Sequence, residues 1–225
     1  MPRRTGSGGT IVVGCRVPSV AGMTFLTRFG VLCGVLCGVF IAVPGAVEAF
    51  TGETAPTSFV LALSTAFGVP LLTAIQLAQR EAGGRLGEIG YAMNVVGLGL
   101  FGGAAYALNV ALYFLDRPVL EDLLAGPTRF ALLGSVAVFV IGVALFGVSM
   151  LRAGVLPRVP VWVYLVAFPV FAFASKLPDS PLTSALHVLV GGSLVWLALA
   201  VRALAAREPL DDMGQRSGAE RRLVR

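Results

Sequence analysis

Residues 129–151 read RFALLGSVAVFVIGVALFGVSML, with Arg129 at the first position and no charged side chain after it. A helix rising about 1.5 Å per residue needs about 20 apolar residues to cross the roughly 30 Å hydrocarbon core of a bilayer. This stretch has that length. It lacks the polar–apolar alternation of a barrel strand, and a lone strand in lipid would leave its peptide groups unpaired. The stretch therefore predicts a membrane-spanning α-helix.

Five more runs of the same kind flank it, near 29–49, 57–79, 89–115, 160–177 and 182–204. The third is long enough to tilt or to pass beyond the interface. The fifth is short and bracketed by Pro157, Pro160 and Pro178, with Lys176 expected to snorkel from its end. Composition agrees: of 225 residues, 56% are hydrophobic and 13% charged, against roughly 25% charged in ordinary soluble domains. Mean hydropathy is +0.86. The predicted fold class is all-α, a polytopic membrane helix bundle of about six transmembrane helices over residues 29–204. Residues 1–28, rich in Gly, Thr and Arg, predict a disordered basic tail. Residues 205–225 predict a charged, mobile cytoplasmic tail that either touches anionic headgroups or simply stops transfer.

The charges settle orientation. Of the 17 basic residues, all but Arg117, Arg129 and Lys176 fall on one side of this topology. Short cytoplasmic loops carry such an excess, so both termini are expected in the cytoplasm and the protein in the cell membrane. The net charge of +5 thus reads as an orientation signal, and the expected partner is the lipid bilayer, with no nucleic acid. Two alternatives stay open at the N-terminus. Translation could start at Met23, and Val47-Glu48-Ala49 has the small-residue spacing of a signal-peptidase site. Cleavage there would leave five helices and an outside N-terminus.

Gly30, Gly34, Gly38 and Ala42 recur at strict four-residue intervals, and Gly99 and Gly103 repeat the spacing on the third run. Small residues so placed let helix backbones approach closely, within the bundle or against another membrane protein or a second copy. Cys33 and Cys37 are one turn apart, but two thiols without a neighbouring His, Met or carboxylate read as small apolar residues, not a metal site. His187 is the only histidine, which excludes bis-histidine haem within one chain. No cofactor is expected.

Polar residues inside spans are the default functional candidates. In the outer half these are Glu48, Tyr106, Asn109, Ser135 and His187, with Glu48 and His187 the obvious pair; Gln76, Asn94 and Ser149 lie toward the inner face. Ser135 and His187 at similar depth invite comparison with rhomboid-type intramembrane serine proteases. The stretch Leu133-Gly134-Ser135-Val136 lacks their Gly-x-Ser-Gly motif, and Gly147-Val148-Ser149 lies at the wrong end of its helix. For transport, Pro70 and Pro169 correspond in an inverted three-helix repeat, whereas Pro44 has no counterpart in the fourth run. The expected function is a non-enzymatic structural or regulatory membrane component. A small transporter or permease with a polar site in the outer half is the alternative, and an intramembrane hydrolase a third.

Gly83-Gly84-Arg85-Leu86-Gly87, the 97–103 glycine run, and the stretch from Phe146 to Arg158 (FGVSMLRAGVLPR) resemble uncharacterised small six-helix integral membrane proteins of actinobacteria. The resemblance covers residues 23–204. It implies a multi-helix membrane fold and brings no activity or functional residue with it.

Overall fold

The computed structural model describes residues 20–174 and 180–223. Six α-helices follow one another: α1 (Val20–Thr51), α2 (Ala55–Tyr106), α3 (Arg117–Ala125), α4 (Pro127–Ala153), α5 (Arg158–Ala174) and α6 (Pro181–Leu223), with a π-helical turn, Ala107–Ala111, after α2. There is no strand among the described residues.

Most of each apolar run lies on a helix, though the third run leaves helical structure after Ala111 and the fifth extends past the described residues at 175–177, and the boundaries carry information of their own. At 52 residues, α2 would measure about 78 Å if straight, more than twice a bilayer core. It folds back at Gly84, whose φ of 50° and ψ of −153° fall in a region essentially reserved for glycine. The arms 55–83 and 85–106 then run antiparallel: the Thr73 hydroxyl meets the Tyr91 phenol at 2.9 Å. The second and third runs are therefore one helical hairpin. Replacing Gly84 by valine is expected to cost about 1–3 kcal/mol, read as a lowered melting temperature in detergent. The loss would come from the backbone alone, because no atom crowds that position. An unchanged melting temperature would show the hairpin tip to be free to relax.

Elsewhere the ends follow local chemistry. Thr54 and Thr57 close a capping box at the start of α2, with Thr54 N donating to Thr57 Oγ1 at 3.0 Å. Gly154 (φ 64°) ends α4 and returns its N–H to the Met150 carbonyl at 3.1 Å. Ser180 and Thr183 repeat the reciprocal capping pattern before α6. Two expected boundaries differ here. The helix expected from residue 29 already begins at Val20, so only residues 1–19 of the predicted tail lie outside the described residues. The C-terminal tail continues α6 in helical form to Leu223. Residues 175–179, including Lys176, lie outside the described residues, so the snorkelling placement does too.

Packing arranges the helices in a ring: α1 between the first arm of α2 and α6, then α6–α5–α4, closed by the second arm of α2 on α4. Ile75, Val143, Phe146, Leu197 and Val201 fill its interior. The outside is equally apolar: Leu32, Val96, Ile141, Trp162, Val170 and Leu199 are each about half exposed. In water such a continuous surface would drive aggregation; in hydrocarbon it costs nothing. Among the described residues four helices are long and apolar enough to cross a membrane; one of them is the hairpin, and α5 is a shorter apolar helix. At 17 residues, α5 reaches about 26 Å, close to the core thickness. The chain is an integral membrane protein with an all-α bundle fold.

Candidate functional site

The helix-packing glycines divide by face. A Cβ added to Gly30 would lie 2.5 Å from the Pro70 carbonyl oxygen of α2. One on Gly34 would strike Leu71 and Ala198, and one on Gly38 would lie 2.4 Å from the Gly191 carbonyl oxygen of α6. Ala42 packs on Gly191 from the same side. This ridge of α1 thus serves two neighbours within the bundle. Gly99 and Gly103 have nothing within 4 Å and face outward. On that arm Gly90 and Gly97 meet the α4 backbone instead, because the arm's rotation is set by α4 and not by its own glycine spacing.

The outer-half polar residues separate into groups. His187 on α6 sits against Gly45 of α1, where an added Cβ would lie 2.2 Å from the His187 Cβ. Its Nδ1–H donates to the Thr183 carbonyl at 2.7 Å, and Phe171 meets its ring edge-on at 4.8 Å. Glu48, buried, lies one turn beyond Gly45 on the same α1–α6 seam. The other three are elsewhere. Asn109 Nδ2 donates to its own Ala105 carbonyl at 2.8 Å, within the π-helical turn. Ser135 Oγ donates to Ala131 at 2.9 Å, and Tyr106 is half exposed. Neither α4 nor the π turn approaches α1 or α6 closely. A cavity joining all five side chains is not what the packing builds.

Interhelical polar contacts concentrate in the inner half. Gln79 Nε2 donates to Gln76 Oε1 at 3.3 Å and to Ser149 Oγ at 3.1 Å, the latter tying α2 to α4. Gly87 packs over this group in ordinary contact with Gln76 and Ser149. Two helical turns further in, Asn94 Nδ2 donates to the Tyr164 phenol, a tie between α2 and α5, whose backbones do not otherwise approach. Gln79 and Asn94 are 1% and 0% exposed, yet Gln79 Oε1 and Asn94 Oδ1 have no partner. Turning either amide over would exchange the orphan oxygen for an orphan N–H, so the shortfall does not depend on amide orientation.

Sequence reading placed Gln76, Asn94 and Ser149 at this depth but did not pair them, and it passed over Gln79 and Tyr164. Their signal was depth: polar side chains on four different runs, all in the half of the bundle nearer the basic loops. Ser135 and Ser149 bond to a carbonyl and to an amide respectively, so neither is paired with His187. No group of three or more His, Cys, Asp or Glu side chains suited to a metal occurs among the described residues. Cys33 and Cys37 are buried and unbridged. No protein-family model, curated protein or solved structure matches this chain.

Proposed function

We propose that this chain is a non-enzymatic structural or regulatory component of a bacterial cell membrane. It crosses the bilayer six times with both termini in the cytoplasm. The observation that carries the reading is the pairing of buried polar side chains across helices, Gln79 with Ser149 and Asn94 with Tyr164. Such ties hold helices in register. Gly99 and Gly103 leave a smooth outward strip on which another membrane protein or a second copy would seat.

Orientation rests on Arg28, Arg80, Arg85, Arg152, Arg158 and Arg202, which the antiparallel helices gather at one end. Cysteines introduced in intact cells at residues 85 and 154 are expected to resist a membrane-impermeant thiol reagent, and those at 53 and 121 to react. Labelling at 85 and 154 instead would invert the topology and remove the cytoplasmic assignment.

A second reading, a small permease, has one observation in its favour. The two orphan amides lie deep in the bundle, where a small polar solute would find hydrogen-bonding atoms on α2. In that reading the polar site belongs to the inner half, not the outer.

A further inference from the structure

The nine residues of α3, Arg117-Pro-Val-Leu-Glu-Asp-Leu-Leu-Ala125, stand between the third and fourth apolar runs. At 100° per residue, Val119, Leu123, Leu120 and Leu124 occupy an arc of about 140°, with Glu121 and Asp122 on the far side and Arg117 at its border. Yet α3 has no buried residue. Leu120 and Leu124 are half-buried, while Val119 and Leu123 remain 55% and 45% exposed. An amphipathic helix with half of its apolar arc uncovered has a surface that the bundle does not explain.

The flanks of α3 fix its depth. It joins the π-helical turn that ends one membrane span to Pro127, which starts the next, so it is held at the end of the bundle opposite the basic loops. Phe114 before it and Phe130 after it are 68% and 77% exposed. The Phe114 ring packs edge-on against Tyr113 and against Phe59 of α2. Exposed aromatic side chains thus flank α3 on both sides, where the chain leaves the π-helical turn and where it enters α4.

Resting on the membrane-spanning reading of the bundle, we infer that α3 is an interfacial helix lying in the plane of the bilayer surface. Val119 and Leu123 enter the headgroup–acyl boundary, and Glu121 and Asp122 face water. The occupant of the exposed arc is lipid, because the arc sits between exposed apolar side chains at the end of two helices long and apolar enough to cross a membrane. Asp116, Glu121 and Asp122 outnumber Arg117 here, so attachment is through apolar burial and does not require anionic headgroups.

The test is spin labelling of the full-length protein in nanodiscs of zwitterionic lipid. Cys15, Cys33 and Cys37 are replaced by alanine, and one cysteine at a time is introduced at 119, 121, 122, 123 or 96. Labels at 119 and 123 are expected to collide with oxygen several-fold more than labels at 121 and 122, and the order should reverse for a water-soluble nickel chelate. Equal nickel access at all four positions would put α3 in water and overturn the inference. Exclusion of both reagents from 119 and 123 would overturn it too, by showing protein, such as a second copy, on that face. Position 96 separates the two levels of the argument. Oxygen access there with nickel exclusion upholds the membrane reading whatever α3 does, and nickel access there would bring down both.

Discussion

Replacing Gly38 by alanine is expected to cost about 3 kcal/mol, at the upper end of overpacking effects, and to lower the thermal midpoint by about 6–12 °C for a chain of this size. The reason is reciprocal backbone contact. An added Cβ on Gly38 would lie 2.4 Å from the Gly191 carbonyl oxygen, and one on Gly191 would lie 2.3 Å from the Gly38 carbonyl oxygen. A flexible side chain could swing away from such an intruder; a carbonyl inside a helix cannot move without displacing the helix. Gly191→Ala should match Gly38→Ala. The double variant should cost less than the two together, because helices already pushed apart have room for the second methyl. Gly99→Ala and Gly103→Ala meet open space and should change stability by no more than about 0.5 kcal/mol. Melting of all five variants in one detergent, followed by size-exclusion chromatography, checks the set. A tolerant Gly38 beside a sensitive Gly99 would mean that α1 and the second arm of α2 are rotated from the faces described.

The second large effect belongs to Asn94. Asn94→Asp keeps the shape and places an ionisable group at a fully buried position in the bundle; it is expected to destabilise by roughly 2.5–3.5 kcal/mol. Tyr164→Phe is milder. It leaves both polar atoms of Asn94 unpaired, at about 1–2 kcal/mol. Combining Asn94→Leu with Tyr164→Phe removes every polar atom of the tie and should return stability to near that of the unmodified protein, or above it. That non-additivity is the signature of a hydrogen bond in an apolar setting. If the combined variant is worse than either single one, the side chains contribute through shape and the tie is incidental. The same protein discriminates the two functional readings. A structural component keeps its partners and topology when the tie becomes apolar, whereas a permease using these amides loses solute flux in proteoliposomes while remaining folded.

Much of the architecture was legible in the letters alone. Whether a stretch such as 129–151 can lie in hydrocarbon depends on its own composition and length, both local properties, so apolar helices suited to a membrane could be recognised without knowing their neighbours. The charge asymmetry of the loops is equally local. The ridge Gly30–Gly34–Gly38–Ala42 could be read because four-residue spacing puts small residues on one helix face whatever they meet.

What the letters could not fix was rotation and pairing. A soluble helix shows which way it faces through its polar side, but these helices are apolar all round, and lipid and a neighbouring helix present nearly the same chemistry. Gly97 and Gly99 are therefore indistinguishable in sequence, and only contact with Phe139 on α4 sends the first inward and the second to the outside. For the same reason Gln79 and Ser149, 70 positions apart, met only through the fold, and Ser135 and Asn109 turned to their own helix backbones. Hydrophobicity decided that the chain enters the membrane; close packing between side chains of similar polarity decided which of them touch.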